Sequence, residues 1–257
     1  MKDFKWRHYR GEVILWAVRW YCCYGISYRE LEVMLKERGV EVDHSTIHRW
    51  VLRYAPDLEK RLRRCYSPHC FGHDSWRVDE TYIKVKGKWR YLYRIVDKRG
   101  RTIDFMLSAT RDGKAAKRCL GKALRQLKPW QHPRVINTDK AGCYEWAIPE
   151  LKKEGLLAKD VQHRQVKYIN NVIEGDHAKI KRVIKQVNGF KTMKAAYATI
   201  KGIEAMRAIK KGQTSVYQLQ PGIKGVVRLV ERCFHLGDSA LTEALNIFNN
   251  NTRMNAV

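Results

Sequence analysis

Residues 75–110, SWRVDETYIKVKGKWRYLYRIVDKRGRTIDFMLSAT, decide the fold of this chain. Apolar and β-branched residues recur through two runs on either side of Lys86 and Gly87, a pattern that predicts a β-hairpin. A third run of the same kind follows the turn at residues 98–100. The stretch therefore predicts three consecutive antiparallel strands.

After these strands the pattern changes to helices alternating with short strands. The predicted elements are a basic helix over 113–127, a strand at RVINT, a helix near 144–154, a strand near VQHRQV and a helix after it. Three strands followed by helix, strand, helix, strand and helix is the order of the ribonuclease H fold. We therefore expect an α/β domain with a ribonuclease H-like mixed five-stranded sheet and flanking helices.

The segment before these strands predicts an all-α module of three helices. Ser27, with Glu30 three residues later, forms a capping box at the start of the second helix. Gly39 separates it from a third helix that begins near Asp43, and a short linker follows. This arrangement is a helix-turn-helix pattern, whose last helix can enter a DNA major groove. The candidate DNA contacts on that helix are Ser45, Thr46, His48 and Arg49. A three-helix unit used only for packing or dimerisation has the same periodicity.

Charge indicates a polyanionic partner. The 257 residues carry 51 Lys and Arg against 26 Asp and Glu, a net charge of +25. Of this excess, +5 lies in residues 1–64, +19 in 65–212 and +1 in 213–257. Basic side chains near a phosphate backbone gain free energy by counterion release, so nucleic acid is the expected partner. A generally basic solvated surface is the other explanation.

Cysteine usage and hydropathy indicate where the protein works. Seven cysteines in no regular framework favour a reducing compartment over a disulfide scaffold. The longest apolar run, residues 13–24, is interrupted by Arg19 and is shorter than the ~20 residues of a membrane span. We expect a cytoplasmic, nucleoid-associated bacterial protein without a membrane partner.

Three acidic residues form the candidate catalytic site. Asp79 lies within the first predicted strand, Asp139 follows the fourth strand, and Glu174 lies on the helix after the fifth. Neighbouring first and fourth strands would bring the two aspartates together below that helix. Carboxylate oxygens are preferred ligands of Mg²⁺, and phosphodiester chemistry commonly uses two ions about 3.5 to 4 Å apart. We expect two Mg²⁺ ions per site, with Mn²⁺ able to substitute.

The helix that carries Glu174 also offers basic residues. Lys181 lies seven positions after Glu174, on the same face, and Arg182 is its neighbour. Both are candidate DNA contacts, and Lys181 is also a candidate catalytic residue; an ordinary solvated lysine is the alternative. Other acids nearby compete for the metal site: Asp74, Glu80, Asp97, Asp104, Asp112 and Asp176.

Several sequence blocks carry a family resemblance. They include YRGEVILWAVRWYC, SYRELEVMLKERGVEVDHSTIHRW, DETYIKVKGKWRYLYRIVDKRGRTIDF, INTDKA and HRQVKYINNVIEGDHAKIKR, and with AYATIKGIEAMRA they span roughly residues 4–212. Over this range the chain resembles the DDE transposases of the bacterial insertion sequence six family. The resemblance implies that Asp79, Asp139 and Glu174 are the catalytic acids, and that Lys181 is the basic residue that follows the glutamate.

The resemblance also implies an activity. Members of this family recognise the terminal inverted repeats of their element through the amino-terminal module. They carry out magnesium-dependent 3'-end cleavage and strand transfer into target DNA, form cointegrates, and act as oligomers, so a homo-oligomer of at least two chains is expected. Two other functions compete: a non-catalytic helix-turn-helix DNA-binding regulator, and a structure-selective nuclease of the same fold that cuts without joining.

These inferences give a domain organisation. Residues 1–64 form the DNA-binding module and linker, 65–212 the DDE catalytic domain, and 213–257 a partly helical tail that is a possible oligomer contact. Within the tail, ALTEALNIF predicts a short amphipathic helix. The strand and loop aromatics are assigned to packing rather than to base stacking: Trp76, Trp89, Tyr91, Tyr93, Trp130 and Trp146. We expect no structural zinc at Cys65, His69, Cys70 and His73, whose spacing fits no pair of zinc knuckles.

Overall fold

The computed structural model describes residues 3–4, 8–66, 75–166, 171–185, 189–238 and 242. These residues belong to two compact units. One comprises the described parts of Met1–Ser67 and Ala198–Val257, and the other those of Pro68–Tyr197. Within the described ranges, no helix has both the length and the apolar character that crossing a membrane requires. The predicted domains 1–64, 65–212 and 213–257 were defined by their functions. Compact units do not test a division by function, so these boundaries stay a prediction.

The second unit contains a single mixed sheet with helices. Its elements in chain order are β1 Ser75–Val85, β2 Lys88–Asp97, β3 Thr102–Ser108, α4 Gly113–Gln126, β4 Val135–Thr138, α5 Gly142–Lys153, β5 Gln162–Gln165 and α6 Asn171–Lys185. The strand order is β3-β2-β1-β4-β5, with β1, β2 and β3 antiparallel and with β4 and β5 parallel to β1. This confirms the predicted ribonuclease H-like five-stranded sheet.

A two-residue turn fixes the register of the first hairpin. Lys86 and Gly87 have φ values of 50° and 73°, and Val85 pairs with Lys88 directly across the turn. Turns with both central residues at positive φ match the right-handed twist of the flanking strands. The turn therefore sets which β1 residues face each side of the sheet.

One face of the sheet is covered by α4 and α5. The buried cluster on this face includes Trp76, Val78, Tyr93, Ile95, Cys119, Leu120, Ile136, Tyr144, Ile148 and Leu151. Side chains alternate between faces along a strand, so Asp79 on β1 and Arg94 on β2, which pair with each other, belong to the opposite face. There Arg94 Nη2 lies 2.5 Å from Asp176 Oδ2 of α6. Helix α6 therefore packs on the face opposite α4 and α5.

The first unit is helical. Its helices are α1 Gly11–Cys23, α2 Tyr28–Lys36, α3 His44–Leu62, the greater part of α7 Met193–Lys210, and α8 Gly222–Cys233. The capping box is present: Ser27 Oγ accepts from the Glu30 amide, and the Glu30 carboxylate accepts from the Ser27 amide. Gly39 has φ +72° after α2, and the Asp43 side chain caps α3 by accepting from Ser45 N. The three predicted amino-terminal helices are thus confirmed.

Part of the tail packs in this unit. The ring of Phe234, just after α8, is tilted against Phe4 and edge-on to Tyr54, and Arg61 Nη1 donates to the Cys233 carbonyl at 2.6 Å. Helix α8 was not specifically predicted. The predicted helix ALTEALNIF lies outside the described residues except for Thr242. His69, Cys70 and His73, for which no structural zinc is expected, also lie outside them.

Candidate active site

The sheet register brings Asp79 and Asp139 together. The last paired residues of the parallel strands β1 and β4 are Arg77 and Asn137. Asp79 and Asp139 each lie two residues beyond that pair, so they occupy corresponding positions where β4 ends. Asp139 Oδ1 also accepts from Ala141 N at 3.1 Å, which fixes the carboxylate in the turn before α5.

A third carboxylate joins the two aspartates. Oxygens of Asp79, Glu80 and Asp139 all lie within 4.8 Å of one another, close enough to ligate a common cation. The sequence places Glu80 only among the competing acids, and strand alternation directs its side chain to the face opposite Asp79. The end of β4 at Thr138 leaves this edge of β1 uncovered, and both side chains approach Asp139 there.

Glu174 lies on α6, the helix that packs on the same face of the sheet as Asp79. It lies in the first turn of α6 and is exposed, and its charge helps to raise the pKa of Asp79. Burial is the largest cause of that shift, followed by the charges of Glu80, Asp139 and Glu174, and together they raise the pKa of Asp79 to about 7. Burial disfavours the ionised carboxylate by removing its solvation, and the neighbouring acids disfavour it by repulsion.

This cluster suits a hard divalent cation. All its donors are carboxylate oxygens, the ligand type that Mg²⁺ and Mn²⁺ prefer. Burial and the charges of the neighbouring acids raise the pKa of Asp79, so a bound cation would favour its ionised form. The residues present therefore fit a metal site made by Asp79 and Asp139, with Glu174 on the adjacent helix.

Arg111 and Tyr144 hold Glu80 at the margin of the site. Arg111 Nε donates to Glu80 Oε1, and the buried Tyr144 hydroxyl donates to Glu80 Oε2 at 2.6 Å. Arg111 Nη2 also lies 3.7 Å from Asp139 Oδ2. Both oxygens of Glu80 thus accept a side-chain hydrogen bond. Asp79 Oδ1 and Asp139 Oδ1 accept from backbone amides, of Glu80 and Ala141. The sequence gives no signal for Arg111, which follows the third strand in a loop.

His177 is a further residue that was not singled out for the site. Its Nδ1 lies 3.6 Å from Asp79 Oδ2, and its side chain is buried. The available signal was its position three residues after Glu174, on the same face of α6. Its contact with Asp79 connects α6 to β1 beside the acids.

A basic cavity adjoins Asp139. It has a volume of about 930 Å³, and its lining includes Arg111, Asp139, Lys140 and Gln165. An anionic strand entering this cavity would meet two cationic side chains next to a candidate metal ligand. The lining of the cavity would therefore favour a phosphate group beside Asp139.

Substitution of Asp79 tests the electrostatics of the acid cluster. Folded wild type retains the Asp79 proton up to about pH 7, whereas the unfolded chain releases it near the ordinary value of 3.8. The folded state therefore binds more protons between these values, and the Asp79 contribution lowers the free energy of unfolding as pH rises through this window. We expect metal-free Asp79→Asn to be more stable than wild type by about 1–3 kcal/mol at pH 8 and to differ little near pH 4.

Denaturant unfolding of both proteins in chelator across this pH range measures the difference. Asp160→Asn, an exposed acid-to-amide change, is the matched control and should follow wild type at each pH. A variant that is less stable than wild type at pH 8 would contradict the electrostatic interpretation.

The predicted DNA contacts are distributed over two helices in different units. In the first turns of α3, Ser45 and Arg49 are exposed, and Thr46 and His48 are partly buried, with His48 edge-on to Tyr28 at 5.2 Å between ring centroids. On α6, Lys181 and Arg182 are exposed. Their contacts with DNA stay predictions, as do the catalytic roles of the three acids and Lys181.

The assignment of aromatics to packing is correct for some residues and wrong for others. Trp76 and Tyr93 are fully buried in the sheet core. Trp89 is 63% exposed, and Trp130 and Trp146 are about half exposed. The first four residues of β2 are exposed or only partly buried, so strand alternation there does not mean burial.

Comparison with known proteins identifies the family. A family model described as a DDE domain matches residues 73–213. The transposase of the insertion sequence-like element IS431mec from Staphylococcus aureus is 38% identical over 224 residues, which cover 86% of this chain and 96% of that protein. The transposase of IS257 in transposon Tn4003, also from Staphylococcus aureus, is 37% identical over 224 residues with the same coverage.

A solved structure matches more weakly. The HTLV-2 integrase catalytic core domain in complex with magnesium is 16% identical, with a TM-score of 0.40, over 60% of this chain and 92% of that chain. The family assignment does not depend on it. The family model and the long matches to the two staphylococcal transposases do carry the assignment. The chain belongs to the DDE transposases of the insertion sequence six family, and is therefore a polynucleotidyl transferase rather than a non-catalytic regulator.

Proposed function

We propose that this transposase binds the terminal inverted repeats of its insertion sequence, cleaves their 3' ends and joins them to target DNA. The observation that carries the proposal is the convergence of Asp79 and Asp139 at the end of β4, with Glu174 on α6. Asp79 and Asp139 come from separate strands and lie together with Glu80, and the charge of Glu174 on α6 adds to the burial and repulsion that raise the pKa of Asp79. Such an arrangement costs stability, and a function in metal binding accounts for it.

Asp79, Asp139 and Glu174 would hold two Mg²⁺ ions, for which Mn²⁺ can substitute. When bound, these ions supply an activated water or 3'-hydroxyl for in-line attack and stabilise the leaving oxygen. The protein's own residues prepare the site. Arg111 donates a hydrogen bond to Glu80 and lies beside Asp139, and His177 contacts Asp79 from α6. Lys181, two turns after Glu174, contacts the phosphate backbone of the DNA that enters the site.

Recognition and assembly complete the proposal. Residues 1–64 bind the terminal repeat through Ser45, Thr46, His48 and Arg49 at the start of α3, and Arg182 adds a phosphate contact on α6. Residues 65–212 carry out the chemistry, and 213–257 contribute a contact between copies. The acting species is a homo-oligomer of at least two chains on double-stranded DNA, at the nucleoid of the bacterial cytoplasm.

A strand-transfer assay tests the activity. Purified protein is mixed with a labelled duplex that ends in the inverted repeat read from the DNA flanking the coding sequence, together with a target plasmid. With Mg²⁺ we expect a 3'-cleaved strand and a joined product, and with chelator neither. Cleavage without joining would identify a structure-selective nuclease, and binding without cleavage would contradict the proposed chemistry.

A further inference from the structure

An aromatic cluster lies exposed on the β1–β2 hairpin. Tyr82 is 44% exposed and Trp89 is 63% exposed, although large aromatic side chains gain free energy from burial. Tyr82 pairs with Tyr91 across the strands, with ring centroids 5.4 Å apart, and its ring meets Trp89 edge-on at 6.5 Å. Tyr82 thus contacts both other rings, and none of the three is fully buried.

These rings line a cavity that also contains lysines. The cavity has a volume of about 700 Å³, and Ile184 of α6 is also part of its lining. Lys84 of β1 and Lys181 and Lys185 of α6 complete the lining. The cavity thus combines aromatic and aliphatic walls with three cationic groups.

This combination selects a class of ligand. A planar ring can stack on Trp89 or Tyr82, and a phosphate on the same ligand can reach the lysines. An apolar peptide or a lipid chain would use the walls but not the positive charge, and an acidic peptide would use the charge but not the rings. A nucleobase with its phosphate uses both, which is how proteins bind single-stranded nucleic acid.

The position of the cavity relative to the acids indicates which part of the DNA would bind in it. Lys181 lies seven residues after Glu174 on α6, about 10 Å along the helix axis. This distance corresponds to roughly three base steps along a DNA strand. A base in the cavity would therefore belong to the DNA next to the bond that the acids cleave.

We propose that the cavity formed by Tyr82, Trp89, Tyr91 and the lysines of β1 and α6 binds an unpaired DNA base beside the cleaved end. Extruding that base costs unpairing and unstacking, which stacking on the exposed rings offsets. The location beside the cleaved end rests on the proposed function. The stacking of an unpaired base does not require that function, and it is tested separately.

Binding is measured with the full chain in chelator, so that no chemistry interferes. The probes are a fluorescein-labelled ten-nucleotide thymidine single strand and a duplex of the same length, followed by fluorescence anisotropy. We expect Trp89→Leu to weaken single-strand binding by about 5- to 20-fold and duplex binding by less than about twofold. Trp89→Phe, which retains a ring, should stay within about threefold of wild type for both probes.

Trp130→Leu is the matched control. Trp130 is 49% exposed in the same unit but does not line the cavity, so its substitution should leave both affinities unchanged. Photocrosslinking with 5-iodouracil in the single strand should label the peptide that spans residues 82–91. Unchanged single-strand binding by Trp89→Leu, equal loss for both probes, or crosslinks elsewhere would overturn the proposal.

Two further outcomes separate this proposal from its alternatives. If Trp89→Leu instead abolishes self-association in sedimentation velocity and leaves single-strand affinity intact, the cavity is a contact between copies and the proposal fails. If the strand-transfer assay fails while Trp89-dependent single-strand binding persists, the proposed function is wrong and the base site stands.

Discussion

Asp139→Asn is expected to reduce 3'-end cleavage and strand transfer by at least about 10³-fold, while binding of the terminal-repeat duplex stays within about twofold of wild type. The substitution keeps the size of the side chain and the oxygen that accepts from Ala141 N, so the turn before α5 should persist. It neutralises one of the three carboxylates that meet at the end of β4, and with it removes a candidate metal ligand.

The measurement is a single-turnover assay with Mg²⁺, paired with a mobility-shift titration in chelator. Asp160→Asn, the exposed acid-to-amide control, should retain wild-type rates. Chemistry by Asp139→Asn at a rate near that of wild type would contradict the site assignment, and a parallel loss of DNA binding would indicate a structural defect instead.

Asp176→Asn is expected to lower the free energy of unfolding by about 3–5 kcal/mol. Arg94 is fully buried and Asp176 is 7% exposed, and their side chains lie 2.5 Å apart between β2 and α6. Neutralising one member of a buried ion pair leaves the charge of the other in a medium of low dielectric constant. Because Glu174 lies two residues before Asp176 on α6, the loss should also displace this acid and reduce strand transfer.

Denaturant unfolding of the full chain measures the change in stability. Glu154→Gln, which breaks the more exposed pair with Lys117, is the comparison and should cost less than about 1 kcal/mol. Replacing both buried partners, Arg94→Met with Asp176→Leu, should recover much of the loss because no buried charge remains. A loss below about 1 kcal/mol for Asp176→Asn would show that the pair does not fasten α6 to the sheet.

The order of elements was predictable because it depends on local signals. The turn at Lys86 and Gly87 and the capping box of Ser27 and Glu30 involve residues at most three positions apart, and both are present in the structure. The positions of Asp79 within β1 and of Asp139 just after β4 followed from the same local patterns.

The surroundings of the acids were not predictable in this way, because they depend on contacts between distant segments. Arg111 reaches Glu80 from 31 residues away, and Tyr144 reaches it from 64 residues away. Whether Glu80 or Asp176 competes for metal depends on such partners. Alternation along one strand cannot reveal which edge a neighbouring strand leaves uncovered.

By itself, the sequence determined the order of strands and helices up to α6, the positions of the three acids, and the concentration of positive charge around them. Only the tertiary structure decided that Glu80 joins Asp79 and Asp139, that Arg94 holds α6 through Asp176, and that Trp89 is exposed. The physical reason is that periodicity reports which residues can share a face. Burial, charge and pKa depend on what packs against that face. In this chain the pKa of Asp79 on β1 depends on Asp139 after β4 and on Glu174 of α6, as well as on its own burial.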